Sequence, residues 1–224
     1  MIERYIPNLQ GRAADEFVSS IFETLQMVLL AGIISFVLGI ILGVALVVTF
    51  KQGMLANVIV YNILDKVINI FRSIPFLILI VFLIPFSRMI AGTALGVRGV
   101  IVPLVIGTTP FFARQVESAV AEVDRGLIEA SIAMGLTPFQ IIMRVYLRES
   151  IPTITRVTMV TLVNLIALSA ITGSVAAGGL GDFALRYGFV RGYTDLMWLT
   201  IVVILVIVSI IHLIGNTVIK FSKH

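Results

Sequence analysis

Few residues of this 224-residue chain could do chemistry on a bound molecule. There is no cysteine, and the only histidines are His212 and His224. These counts exclude disulfides, thiolate metal sites and cysteine nucleophiles, and they argue against a histidine-built metal or acid–base site. The chain also has no Gly-x-x-x-x-Gly-Lys-Ser/Thr phosphate loop and no Gly-Lys pair. We therefore expect no catalytic residue, no metal site and no cofactor in this chain, which is not an enzyme; if ATP drives its activity, another polypeptide binds the nucleotide.

One cluster of polar residues interrupts an apolar part of the sequence. Asp65, Asn69 and Arg72 follow one another at spacings of four and three, so they share one helical face. Ser73 and Pro75 come next, and a proline removes a backbone hydrogen bond. The favoured interpretation is the solvated end of a membrane helix. The alternative is a translocation path or gate, because polar groups at membrane depth face protein or water; its residues are Asn69, Arg72, Ser73 and Pro75.

A longer polar segment, residues 124–152, has the pattern of two short helices. One small or apolar stripe at helical spacing consists of Leu127, Ala130, Ser131 and Met134. Glu129 lies off that stripe, near the start of the helix, where a negative charge suits the helix dipole. Gly135 then stops the helix, as a residue able to take the left-handed conformation.

The second short helix has its own start signal. Thr137 is the predicted N-cap, Pro138 occupies the first helical position and Gln140 completes a capping box. A second apolar face contains Phe139, Ile142, Met143, Tyr146 and Leu147. Pro152 marks the start of the next membrane helix. The hairpin is either a well-capped surface loop, or a docking element that presents Glu129 to a soluble partner.

The elements around these residues are membrane helices. Hydrophobic residues make up 59% of the chain and charged residues only 12%, about half the share of a soluble domain. We predict an all-α integral membrane protein in one domain, residues 1–224, with five spans. They are residues 24–50, 63–87, 99–120, 157–181 and 196–219. Ser35, Gly39 and Gly43 form a small-residue face for close helix packing, within the subunit or at a dimer contact.

The distribution of lysine and arginine orients the spans. Ten of them lie on one side: Lys51, Lys66, Arg72, Arg114, Arg125, Arg144, Arg148, Arg156, Lys220 and Lys223. Six lie on the other: Arg4, Arg12, Arg88, Arg98, Arg186 and Arg191. The richer side is expected to be cytoplasmic, which places the N-terminus outside, the C-terminus inside and the hairpin in the cytoplasm.

The hairpin resembles the cytoplasmic signature of ABC importer permeases, Glu-Ala-Ala, three residues, Gly, nine residues, then Ile-x-Leu-Pro. The matching positions are Glu129, Ala130, Ser131, Gly135, Val145 and Leu147. Ser131 replaces the second alanine, and Arg148 stands where the proline is expected. Residues 69–76, 107–114 and 178–181 are similar to segments of the methionine importer permeases.

The resemblance implies a homodimeric permease of a bacterial inner membrane that imports an amino acid, methionine first among them, by alternating access. Its implied partners are two ABC ATPase subunits, which bind ATP and Mg, an extracytoplasmic substrate-binding protein, expected to be a lipoprotein, and membrane lipid. No nucleic-acid partner is expected. The residues expected to couple the spans to the ATPase are Leu127, Glu129, Ala130, Met134 and Gly135.

Two alternatives stay open at this stage. The chain is either a permease of the same class for another small solute, such as a different amino acid or an osmolyte, or a self-sufficient channel or secondary transporter. Secondary transporters commonly carry ion-coupling carboxylates within their spans. The long charge-free windows contain none, which disfavours that second class.

Overall fold

The computed structural model describes residues 6–222, and all regular secondary structure within that range is helical. The helices are α1 (Arg12–Thr49), α2 (Val58–Ser73), α3 (Phe76–Ala91), α4 (Gly96–Ala121), α5 (Arg125–Ala133), α6 (Pro138–Ile141), α7 (Leu147–Glu149), α8 (Ile151–Thr172), α9 (Gly179–Phe183) and α10 (Thr194–Phe221). A π-helical segment, Ile142–Tyr146, joins α6 to α7, and another, Ala184–Val190, follows α9. A 3-10 turn, Gly173–Val175, extends α8. The all-α fold predicted from the sequence is confirmed.

Four helices are long and apolar enough to cross a membrane: α1, α4, α8 with its 3-10 extension, and α10. The broken pair α2 and α3 meets the same criterion only when taken together, which gives up to five spans in the described residues. The predicted windows 24–50, 99–120 and 196–219 lie along α1, α4 and α10.

The other two windows differ from the helices. The window 63–87 is interrupted, because α2 ends at Ser73 and Ile74 is extended, with φ −84° and ψ 123°. The next residue is Pro75, which disfavours the helical conformation in the residue before it. The window 157–181 is shifted: α8 already begins at Ile151, and its helix stops before Ala176, whose φ is +56°.

The helices form two compact units. One comprises residues 6–34, 75–106 and 162–211 of the described chain. Its core contains Met27, Leu104 and Leu165, all fully buried. A second cluster in this unit includes Phe17 and Phe183, whose ring centroids are 5.1 Å apart. Burial of these side chains holds α9 on the first turns of α1.

The other unit comprises residues 35–74, 107–161 and 212–222. Its core packs α1 against α4 and the hairpin. A Cβ built on Gly43 would lie 2.7 Å from the carbonyl oxygen of Ala113 and from Val116 Cβ, so only glycine allows this approach. The packing predicted for the small-residue face therefore occurs within the subunit.

Candidate functional site

The first short helix of the hairpin, α5, is fixed at its start by Asp124. The Asp124 carboxylate accepts the backbone N–H groups of Gly126 at 2.6 Å and Leu127 at 3.3 Å. These are two of the donors that a helix leaves unpaired at its N-terminus. Asp124 is an N-cap that the sequence analysis did not assign, although an aspartate before a helical stripe is the usual signal for one.

The end of α5 is the turn predicted at Gly135. Gly135 has φ +79°, and its N–H donates to Ile132 O at 2.9 Å. The N–H of Leu136 donates to Ser131 O at 3.2 Å, which completes a Schellman motif. A Cβ on Gly135 would meet no atom within 4 Å, so the glycine is needed for its backbone conformation and not for space.

The hairpin has two arms: α5 is the first, and residues 138–149 are the second. The second arm begins at the predicted capping box. The Thr137 hydroxyl accepts the N–H of Gln140, and the Gln140 side chain accepts the N–H of Thr137. The arm does not continue as one α-helix, because residues Ile142–Tyr146 widen into a π-helical segment that the sequence analysis missed. The arm ends at Ser150, whose hydroxyl donates to Ala119 O of α4 at 3.4 Å.

Burial divides the apolar stripes of the hairpin differently from the prediction. Ile128, Ile141 and Tyr146 face the core, where they pack with apolar residues of α1 and α4, and Ser131 is also buried. All five predicted coupling residues are exposed: Leu127, Glu129, Ala130, Met134 and Gly135. Ser131, predicted on the same stripe as Leu127 and Met134, instead points inward and donates its hydroxyl to Leu127 O at 2.7 Å.

Large apolar side chains cover the outer side of the hairpin. We call this set the coupling surface; it consists of Leu127, Ile132, Met134, Phe139 and Met143. Met134 and Phe139 are each 71% exposed. Neighbouring exposed apolar side chains of this size are typical of a contact with a protein or a membrane.

A cavity of about 490 Å³ lies between the hairpin, the loop after α1 and the end of α4. Glu129 lines it together with Arg125, whose guanidinium donates to Gln52 Oε1 at 2.6 Å. Tyr146 is also in its wall. Burial raises the pKa of the Tyr146 phenol, while the charge of Arg125 opposes that rise. The phenol is therefore held in its neutral form beside this cavity.

The polar face of α2 is partly brought together by a residue that the sequence analysis did not include. Arg114 of α4 donates to the carboxylate of Asp65 and, at 3.1 Å, to Asn69 Oδ1. Arg72 is exposed and joins none of these contacts, and the Ser73 hydroxyl donates to the carbonyl of Asn69 at 2.8 Å. The sequence contains a signal for this pairing. The predicted span 99–120 includes Arg114, and the predicted span 63–87 includes Asp65 as its sole acid.

A second charged cluster lies at the start of α1. Arg186 donates to Glu16 at 2.9 Å and to Asp182 at 2.8 Å. Burial lowers the pKa of Arg186, but the hydrogen bonds to both carboxylates outweigh it and the pKa lies above its ordinary value. Arg191 lies over the Tyr187 ring, 4.3 Å from its centroid. Across residues 6–222, no group of histidine, aspartate and glutamate side chains has the arrangement of a metal site.

The chain is similar to known transport proteins along most of its length. The "Probable D-methionine transport system permease protein MetI" of Vibrio cholerae is 46% identical over 211 residues, 94% of each chain. The D-methionine transport system permease protein MetI of Escherichia coli K12 is 49% identical over 135 residues, 60% of this chain and 62% of that protein. A solved structure of the MetNI methionine ABC transporter in inward-facing conformations has a TM-score of 0.92 and 40% identity, covering 96% of this chain and 100% of that one.

The family assignment rests on the largest part of the sequence. Residues 35–219 match the model of one family, and this range contains the hairpin and the polar face of α2. The apolar helices, the hairpin and the full-length relatives all agree with that match. This chain belongs to the family of binding-protein-dependent transport system inner membrane components.

Proposed function

We propose that this chain is the permease subunit of an ATP-driven methionine importer, with its coupling surface seated on a separate ATPase subunit. The observation that carries the proposal is the hairpin itself. Both of its arms begin at side-chain caps, its inner side is buried, and its outer side exposes Met134 and Phe139. A short element held this firmly transmits the movement of a partner without deforming.

Methionine is the proposed substrate because the named relatives are D-methionine permeases and the matching structure is a methionine ABC transporter. Two permease subunits and two ATPases, which hold ATP and Mg, form the proposed complex. An extracytoplasmic binding protein, a lipoprotein, delivers the amino acid. The chain acts as one transmembrane domain among lipids of the inner membrane, with its N-terminus outside and its C-terminus and hairpin in the cytoplasm.

The proposed gate remains with Asn69, Arg72, Ser73 and Pro75. All four are exposed in the single subunit, as expected for residues that face a pathway or a second copy. An Arg72→Ala complex that assembles normally and takes up methionine at the wild-type rate would remove Arg72 from the gate.

Reconstitution separates this proposal from its alternatives. Vesicles that contain the permease, the ATPase and the binding protein are expected to accumulate labelled methionine only with ATP. Uptake without the ATPase would favour a secondary transporter. Uptake of another amino acid or an osmolyte, and not of methionine, would change the substrate alone.

Two variants test the proposed contact between the hairpin and the ATPase. Met134→Ser combined with Phe139→Ser removes apolar contact area, and Glu129→Lys reverses the one acid among the predicted coupling residues. Both changes should reduce co-purification of the ATPase and ATP-dependent uptake, whereas Glu149→Gln, at the far end of the hairpin, should reduce neither. Wild-type values for all variants would contradict the assignment.

The proposed orientation has a direct test because the chain has no cysteine. A Glu149→Cys variant supplies a single thiol at the exposed far end of the hairpin, outside the coupling surface. A membrane-impermeant thiol reagent should label it in inverted vesicles and leave it unlabelled in intact cells. Labelling in intact cells would reverse the orientation.

A further inference from the structure

One guanidinium joins two helices of the second unit. Arg114 Nη2 donates to the Asp65 carboxylate and to Asn69 Oδ1, both on α2, while Nη1 donates to Glu117 Oε2 on α4 at 2.6 Å. The Asn69 amide also donates to Asp65 Oδ2 at 3.2 Å. The Arg114 side chain is only 18% exposed. We call these four residues the Arg114 bridge.

The bridge lies beside an apolar contact between the same helices. Ile68 of α2 and Ala113 of α4 are buried in one cluster with Leu46 of α1. Apolar packing therefore already holds α2 and α4 together. A partly buried ion pair adds little net stability beyond apolar packing, because desolvation of the charges offsets their attraction. The bridge is thus an addition that packing does not require.

The hairpin is attached directly to the same helix as Arg114. α4 ends at Ala121, and α5 begins at Arg125 after the Asp124 cap. The Ser150 hydroxyl, at the other end of the hairpin, donates to Ala119 O. A movement of the hairpin therefore reaches the last turns of α4, and Arg114 lies on that part of the helix.

We propose that Arg114 is a positioning residue, which carries movement of the hairpin from α4 to α2 through Asp65 and Asn69. The inference rests on the proposed function, since it needs an ATPase that moves the hairpin. With the bridge intact, α4 and α2 move together, and α2 carries Asn69, Arg72 and Ser73 of the proposed gate. Without it, ATP hydrolysis continues but less of the movement reaches α2.

The measurement is methionine taken up per ATP hydrolysed, in vesicles that contain the full complex and the binding protein. Asp65→Asn and Arg114→Met are expected to lower this ratio by about 5-fold or more, the low end of coupling between sites. ATPase co-purification and ATP hydrolysis should not change. Arg114→Lys keeps the charge without the forked donors and should lie between. Lys66→Gln, which removes a neighbouring exposed charge from α2, is the matched control and should keep the wild-type ratio.

A covalent replacement of the bridge distinguishes transmission from a structural effect. Asp65→Cys and Arg114→Cys together replace the bridging pair with the chain's only two thiols, one on α2 and one on α4, at side chains that are 31% and 18% exposed. A short bifunctional thiol reagent that joins them should restore the ratio, and a reagent with one reactive group should not.

Each outcome decides between the two levels of the proposal. Absence of ATP-dependent uptake by the wild-type complex would overturn the proposed function and this inference with it. If the wild-type complex couples uptake to ATP hydrolysis, and the Asp65→Asn and Arg114→Met complexes keep the wild-type ratio, the inference alone would be overturned. Loss of complex assembly in these variants would also overturn it. So would a lowered ratio of uptake to ATP hydrolysis that the cross-link does not restore.

Discussion

Thr137 and Gln140 cap each other across the first turn of α6. The Gln140 Oε1 accepts the N–H of Thr137 at 2.9 Å, and the Thr137 hydroxyl accepts the N–H of Gln140 at 3.4 Å. Pro138, between them, has no N–H to satisfy and is already held near helical φ. The outer end of the hairpin is therefore ordered by its own side chains and does not need a bound partner.

Thr137→Ala should loosen the second arm. Loss of the cap costs about 1 kcal/mol, and only the local opening of α6 should feel it. Hydrogen exchange of the Gln140 and Ile141 amides, which both donate to Thr137, should become several-fold faster, since 1.4 kcal/mol corresponds to about 10-fold. Thr137→Ser keeps the acceptor oxygen and serves as the control. Equal protection in the alanine and serine variants would show that burial of Ile141 alone orders this arm.

Gly135 should tolerate replacements in the order set by the left-handed conformation. At φ +79° a β-carbon costs about 1–2 kcal/mol, and asparagine is the least penalised of the larger residues. The melting temperature of the purified complex should therefore decrease in the order wild type, Gly135→Asn, Gly135→Ala, Gly135→Val. Because open space surrounds the site, a ranking by side-chain volume with alanine above asparagine would contradict this explanation.

The local chemistry of the hairpin could be predicted from the sequence, whereas its contacts could not. Gly135 and the pair Thr137 and Gln140 act within a few residues, so spacing alone indicates their roles. The burial of Ser131 depends on how the hairpin packs in the fold, which residue spacing does not reveal. The π-helical segment Ile142–Tyr146 has no local signal comparable to a cap, and it was missed for that reason.

The Arg114 bridge shows the same limit at longer range. Asp65 and Asn69 were placed on one face because they are four residues apart, but their partner Arg114 is 49 residues from Asp65. Periodicity within a helix carries no information about which helix lies opposite. The span windows show the converse, since apolar length predicts where α1, α4 and α10 run without any knowledge of their neighbours.

Tyr146 should make the complex sensitive to alkaline pH. Burial raises the pKa of its phenol above the ordinary value of about 10, so the folded protein keeps the proton longer than the unfolded chain. The resulting stabilisation is complete below the unfolded pKa and is lost as pH rises through the folded pKa. The melting temperature should fall above about pH 10, and Tyr146→Phe, which keeps the ring, should reduce that fall. Identical alkaline profiles for the two proteins would assign the fall to other groups.

Gly43 should be a position in α1 where one added methyl group is costly. Its Cβ would lie 2.7 Å from both Ala113 O and Val116 Cβ, so α1 and α4 must separate to accept an alanine. Overpacking of this kind costs about 1–3 kcal/mol, and the hairpin, packed on the same two helices, should lose thermal stability with them. Val116→Ala removes Val116 Cγ1, which would also lie 2.7 Å from that Cβ, and keeps Val116 Cβ. Gly43→Ala combined with Val116→Ala should therefore be more stable than the sum of the single effects, by about 0.5–3 kcal/mol in a double-mutant cycle. Strict additivity in the melting temperature of the purified complex would show that Val116 Cγ1 plays no part and that the Ala113 carbonyl and Val116 Cβ set the approach of the two helices.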